Sequence, residues 1–181
     1  PAQPGDVVLA VENMTVVDGS GVARVKDVSF TVRTGEIVGI DPSEGFITYA
    51  KKNAKPSRMS FEVGDAQALK FKDASFDQTL SLLVMNFVPD HNKAIVEMRR
   101  VTRPGGVVSS CVWDYNAGME MIRMFWDEVV RMEPAMVAKD QRNMKLARQG
   151  ELGALWQKAG LRDVVEQPLT IEQNFTSFDD F

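Results

Sequence analysis

Two carboxylates stand where an α/β protein commonly holds a ligand. Asp41 closes the apolar run Ile37-Val38-Gly39-Ile40, and Asp65 follows Gly64 beyond Ser60-Phe61-Glu62-Val63. Ser81 lies within a third apolar run, Leu80 to Val84. If these runs are parallel strands, the three residues lie at or near the carboxyl ends, where such sheets bind ligands. An Asp before Pro-Ser also suits helix capping or a turn in any fold, so Asp41 carries two readings. Other chemistry is thinly supplied. The single cysteine, Cys111, excludes an intramolecular disulfide or a multi-cysteine metal site, and its apolar surroundings read as those of a buried, inert thiol. The single histidine, His91, has no second ligand at a recognisable spacing, so no metal site is expected. Gly19-Ser20-Gly21 falls in a predicted β-turn with no helix behind it, and so makes no dinucleotide loop.

The elements that must position these residues change in character near Ile40. Before it, β-branched runs cut by turn residues predict about three strands in an antiparallel unit: Val7 to Val17, Val28 to Val32 and Glu36 to Ile40. After it, strands and helices alternate. Pro42-Ser43-Glu44 opens a helix with Phe46, Ile47 and Ala50 on one face. Ser60 to Val63 and Phe76 to Met85 read as strands, Leu80 to Val84 being the buried part of the second. Ala94, Ile95, Met98 and Val101 make one stripe of an amphipathic helix. Arg103-Pro104-Gly105-Gly106 stops that helix and leads into the strand Val107 to Val112. Met121, Met124, Phe125, Val129 and Met132 predict a second helix packed by that side into the core. Glu151 to Ala159 is a short helix capped by Gly160, and Val164-Val165 and Leu169 to Ile171 read as final strands. Strand-helix alternation implies a mostly parallel sheet covered on both faces.

With 181 residues, 44% of them hydrophobic, the chain is long enough for a proper core without staples. A net charge of -4 gives no electrostatic case for nucleic acid. Arg99, Arg100 and Arg103 cluster, but at a predicted helix end, where they are expected to complement its dipole. No apolar stretch approaches the ~20 residues of a membrane span, and no charged-then-apolar leader is seen. No membrane association is expected, and the expected location is the cytoplasm.

In this order and spacing, the segments after Val38 resemble a class I S-adenosylmethionine-dependent methyltransferase of the small-molecule and quinone branch. The resemblance rests on Val38-Gly39-Ile40-Asp41-Pro42-Ser43, Val63-Gly64-Asp65-Ala66-Gln67-Ala68-Leu69, Phe76-Asp77, Arg99 to Gly106, and Glu151-Leu152 through Ala159-Gly160-Leu161. It implies a Rossmann-like sheet with S-adenosylmethionine as cofactor. Asp41 would accept from the ribose hydroxyls, Asp65 from the adenine amino group, and the Ala66 N–H would meet a ring nitrogen. Ser81 to Leu83 would lie beside the methionine portion. His91, Asp114 and Tyr115 are conceivable contacts for a small-molecule methyl acceptor, and no catalytic residue is assigned.

The family's glycine-rich loop, opening a helix one strand earlier, has no counterpart here. Val8 to Val16 and Val25 to Ile40 instead resemble the start of an ABC-transporter ATPase domain of the sugar-importer type. Asp41-Pro42-Ser43 stands where that family's phosphate loop would begin, which excludes its mode of ATP hydrolysis. The expectation is a hybrid: a β-rich unit over residues 1–40 and a truncated methyltransferase-like α/β domain over 41–181. Weak or absent methyl transfer is expected from the incomplete cofactor cradle. Apolar surface left bare by the missing unit would drive homodimerisation, with strand exchange as one route.

Overall fold

A computed structural model describes residues 7–17, 23–33, 35, 37–53, 59–170 and 177, with the backbone alone described over 7–17 and 23–33. The order is β1 (Val7–Val17), β2 (Ala23–Arg33), β3 (Ile37–Asp41), α1 (Glu44–Asn53), β4 (Met59–Val63), β5 (Phe76–Leu82), α2 (His91–Val101), β6 (Thr102–Cys111), α3 (Glu120–Met132) and α4 (Glu151–Lys158). Short 3-10 turns occupy Met85–Phe87, Pro134–Lys139 and Gln141–Asn143. The fold is α/β. The chain divides into two compact units: Pro1–Gly39, Asn53–Ser60 and Leu169–Phe181 form one, and Ile40–Lys52 with Phe61–Pro168 the other.

In the first unit, β1 and β2 pair antiparallel from Val7↔Arg33 to Val17↔Ala23. Two of the three strands expected in an antiparallel unit form this pair, and the turn between them at Asp18 to Gly21 lies outside the described residues. β3 pairs with β4 and not with this hairpin.

The second unit is built around α2. Asp90 caps it by accepting the Lys93 N–H at 3.1 Å, and its predicted stripe of Ala94, Ile95, Met98 and Val101 is buried. Leu152 and Trp156 of α4 meet this stripe together with Met85, Val88 and Leu146, while Val108 and Val112 pack against the cluster. Burying a side chain such as Ile95 contributes roughly 1.5–3 kcal/mol. Gly160 ends α4 at φ +81°, and the Leu161 N–H donates to the Trp156 carbonyl at 3.1 Å, the expected left-handed cap.

β5 and β6 are parallel, in register from Gln78↔Val107 to Leu82↔Cys111. Two hydroxyl pairs cross this ladder at 2.6 Å, Thr79–Thr102 and Ser81–Ser110. Between Phe76↔Thr102 and Gln78↔Val107 the register shifts, and residues 103–106 leave the ladder. A Cβ at Gly106 would stand 2.5 Å from the Asp77 carbonyl oxygen, so only glycine lets the two backbones pass this closely.

Among the described residues the strands form three separate pairs, β1–β2, β3–β4 and β5–β6. Doubly wound sheets have the order 3-2-1-4-5-6, with the first strand bridging the second and the fourth. By the resemblance, β3 to β6 correspond to the second to fifth strands. Without the first, two disconnected pairs are what that order leaves.

Several sequence expectations need correction. Leu80 and Leu82 are 68% and 75% exposed rather than buried. Strand periodicity explains this: Thr79 and Ser81 hold the face where their hydroxyls pair across the ladder, which sends Leu80 and Leu82 to the opposite face. In α1, Ile47 is buried but Phe46 is 69% exposed. In α3 the methionine stripe faces out, with Met121, Met124, Phe125 and Met132 all exposed. The buried residue is Trp126, whose indole N–H donates to Gln141 Oε1 at 3.2 Å and turns the helix by that side toward the following turns. Val164, Val165, Leu169 and Thr170 form no strand. No neighbouring strand pairs with them, and Glu166 instead caps α4, accepting the Gly150 and Gly153 N–H groups at 2.6 and 2.7 Å. Ile171 lies outside the described residues.

Candidate cofactor site

The carboxyl ends of β3 and β4 are tied together by one bond. The Gly64 N–H donates to the Asp41 carbonyl at 3.1 Å, so Asp41, the last residue of β3, and Asp65, just past β4, stand at adjacent strand ends. The structure thus brings together the two acids singled out from sequence. Asp41 also keeps its local role: Oδ1 accepts the Ser43 N–H at 2.7 Å, and Ser43 Oγ accepts the Phe46 N–H at 3.3 Å at the start of α1. Only one of its oxygens is thereby engaged.

Asp65 sits in a tight turn closed by the Ala68 N–H on its carbonyl at 3.0 Å. Its carboxylate accepts the Gln67 N–H at 2.8 Å and Gln67 Nε2 at 3.0 Å on each oxygen. These bonds, backbone first, hold the Asp65 carboxyl below the usual carboxylate range, with Lys93 adding to the shift. Ala66 is half-buried against the α2 core, and no hydrogen bond to a described residue engages its N–H. A half-buried carboxylate, an exposed one and a spare N–H donor suit a polar ring bearing an amino group and a vicinal diol.

Ser81 is placed differently. It lies in β5, and its hydroxyl is spent on Ser110. Beyond it the chain turns through Leu83 at φ +55°, an uncommon conformation for leucine, with its N–H donating to the Cys111 carbonyl at 2.8 Å. Asn86 then clamps the loops after β5 and β6. It is 5% exposed, accepts the Trp113 N–H at 2.9 Å, and donates to the carbonyls of Trp113 and Leu146 at 3.3 and 3.0 Å. Sequence alone gave no sign of this clamp.

The suggested acceptor contacts are hydrogen-bonded within the chain or buried in their observed settings. Asp114 Oδ1 accepts the Asn116 and Ala117 N–H groups at 3.0 and 2.8 Å. Tyr115 is buried, which pushes its phenol pKa up. His91 is buried at the start of α2 with Nε2 unpartnered, and burial, then Lys145, pushes its pKa down against Asp90 and the Asn86 backbone. Cys111 is half-buried and free. Arg99 and Arg100 lie in the last turn of α2 as expected, and all three arginines also reach other segments. Arg99 reaches the Ala159 carbonyl at the end of α4, Arg103 pairs with Asp77, and Arg100 grips the loop after β4. Among the described residues no group of acids, histidine and cysteine is arranged to hold a metal ion, and no helix is long and apolar enough to cross a membrane.

The α/β unit has a Rossmann-like fold, the kind of sheet that binds ligands outside the carboxyl ends of its strands. More narrowly, the chain belongs to the methyltransferase domain family, whose model matches residues 19–110, half of its length. That match begins within the stretch of β-rich sequence ahead of Val38. Over 76 residues, 41% of this chain, it is 42% identical to demethylmenaquinone methyltransferase of Staphylococcus aureus. The matching stretch spans about a third, 32%, of that relative's length. Among solved structures, it is similar to a chain in the complex between the Haloferax volcanii Trm112 methyltransferase activator and a methyltransferase. That likeness has a TM-score of 0.61 at 21% identity, over 81% of this chain and 60% of the other. At that identity it speaks for the fold alone.

Proposed function

We propose that this chain binds the nucleoside half of S-adenosylmethionine through Asp41, Asp65 and Ala66, and transfers its methyl group weakly or not at all. The observation that carries this reading is the asymmetry of the site. Nucleoside-side groups meet at the ends of β3 and β4, while the hairpin β1–β2 precedes β3 where a glycine loop and its helix would be needed. S-adenosylmethionine supplies an activated methyl group; the chain's own contribution would be orientation. Without a loop to fix the amino-acid end, the in-line placement such a transfer needs is poorly enforced. Ser81 would stand beside that end only if its hydroxyl exchanged Ser110 for the ligand. By their ABC-like sequence the first strands are read as of hybrid origin with a join inside β3, while the methyltransferase match from residue 19 weighs against so late a join.

Calorimetry with S-adenosylhomocysteine tests the binding. Affinity lost in Asp41→Ala and Asp65→Ala supports the reading, and no heat with the intact chain overturns it. Radiolabelled transfer to a demethylmenaquinone analogue, chosen because of the Staphylococcus relative, tests the activity. Turnover at ordinary enzyme rates would favour a fully active small-molecule methyltransferase instead.

A second reading is favoured by the exposure of Leu80 and Leu82. β5 has β6 as its one strand partner among the described residues, so it presents both an apolar face and an open edge. Self-association into a homodimer, by strand exchange or face-to-face packing, would cover both. In the extreme form of this reading the chain is a folded, self-associating hybrid without catalysis. The cytoplasm is the proposed location in either case.

A further inference from the structure

The loop between β4 and β5 carries Asp65 and Ala66 but has no regular structure to hold its shape. Ordering such a segment costs on the order of 1–2 kcal/mol per residue in backbone entropy, so a usable site needs something to hold it. Here α2 does so. The Asp90 N–H donates to Gln67 Oε1 at 3.0 Å, and the Leu69 N–H to Glu97 Oε2 at 2.7 Å. Arg100 donates to the Leu69 carbonyl at 2.9 Å, to the Phe71 carbonyl at 2.7 Å and to Asp73 at 2.8 Å. Glu97 and Arg100 lock one another through two bonds of 2.7 and 2.8 Å. The Ala74 N–H closes the far end on the Arg100 carbonyl at 2.9 Å.

Gln67 is the link between this clamp and the ligand side. Its carbonyl oxygen takes the Asp90 N–H, so its amide nitrogen is aimed back at both oxygens of Asp65. We propose that Gln67, Glu97 and Arg100 are positioning residues of the cofactor site: Glu97 and Arg100 set the path of the loop, and Gln67 sets the orientation of the Asp65 carboxylate. This inference rests on the reading that Asp65 and Ala66 receive the nucleoside. Arg100 is suited to the task because a planar guanidinium serves several acceptors at once in fixed directions, which a lysine ammonium cannot match.

The test uses the full chain, with Gln67→Glu and Arg100→Lys as mild variants chosen to leave the fold intact. S-adenosylhomocysteine affinity is expected to fall about tenfold or more in Arg100→Lys, the scale on which outer partners of a site usually act. In Gln67→Glu the Asp90 bond survives, but a second carboxylate replaces the donor facing Asp65, with Lys93 the nearby cation. Asp65 should then titrate at higher pH, and affinity should fall between pH 7 and 5, where the parent protein's stays level. Equal affinity and equal pH profiles in all three proteins overturn the proposal. If the parent binds no S-adenosylhomocysteine, the functional reading fails separately. The clamp is then judged by the Asp65 carboxyl titration and the Leu69 amide exchange rate. A shifted titration in Gln67→Glu with faster exchange in Arg100→Lys upholds it, and unchanged values in both refute it.

Discussion

A Cβ built on Gly64 would stand 2.8 Å from Ile40 Cγ2, so the ends of β3 and β4 approach as closely as they do because residue 64 has no side chain. The same residue's N–H ties Asp41 to the start of the Asp65 turn. Ile40 is β-branched and cannot swing its methyl aside cheaply. Gly64→Ala is therefore expected to cost about 1–3 kcal/mol as an overpacked contact. Urea denaturation measures this, and calorimetry should show nucleoside affinity falling with it because the two acids move apart. A variant as stable as the parent would mean that the strands separate freely.

Asn86 offers a test of the loop clamp. Asn86→Leu removes three hydrogen bonds and leaves the Trp113 N–H without its acceptor in a part-buried site. A loss of about 2–4 kcal/mol is expected, mostly from the orphaned partners. Thermal or urea unfolding reads it directly. A loss well under 1 kcal/mol would show that water replaces the side chain in full.

His91 predicts a pH dependence. Its folded-state pKa lies below the unfolded value of about 6.5, so the unfolded chain binds the extra proton more readily. Its effect on stability is absent above that value, and stability is lost as pH falls from there toward the folded pKa. The urea midpoint of the parent should drop between pH 7.5 and 5.5. His91→Gln should flatten that part of the profile, and an identical slope in the variant would refute the assignment.

The bare face of β5 predicts self-association. Light scattering should find the parent protein as a dimer at micromolar concentration, and Leu80→Thr with Leu82→Lys should shift it to monomer with little loss of fold. A monomeric parent would eliminate this reading.

Much was written into local sequence. Binary patterning placed α2 and its buried stripe, and Gly160 marked the end of α4, because both depend on neighbours a few residues away. Gly64-Asp65 and Ile40-Asp41 were legible as strand ends for the same reason, and with them the acids of the site. What the sequence could not determine was which apolar residues would find partners. Leu80, Leu82 and the methionines of α3 have core-like spacing, yet their burial depends on elements supplied by the rest of the fold, and there those elements do not cover them. Arg100 likewise read as a dipole complement at a helix end. Only tertiary structure placed the Leu69 and Phe71 carbonyls within its reach, because they approach it across some thirty residues of chain, and no local pattern records that approach.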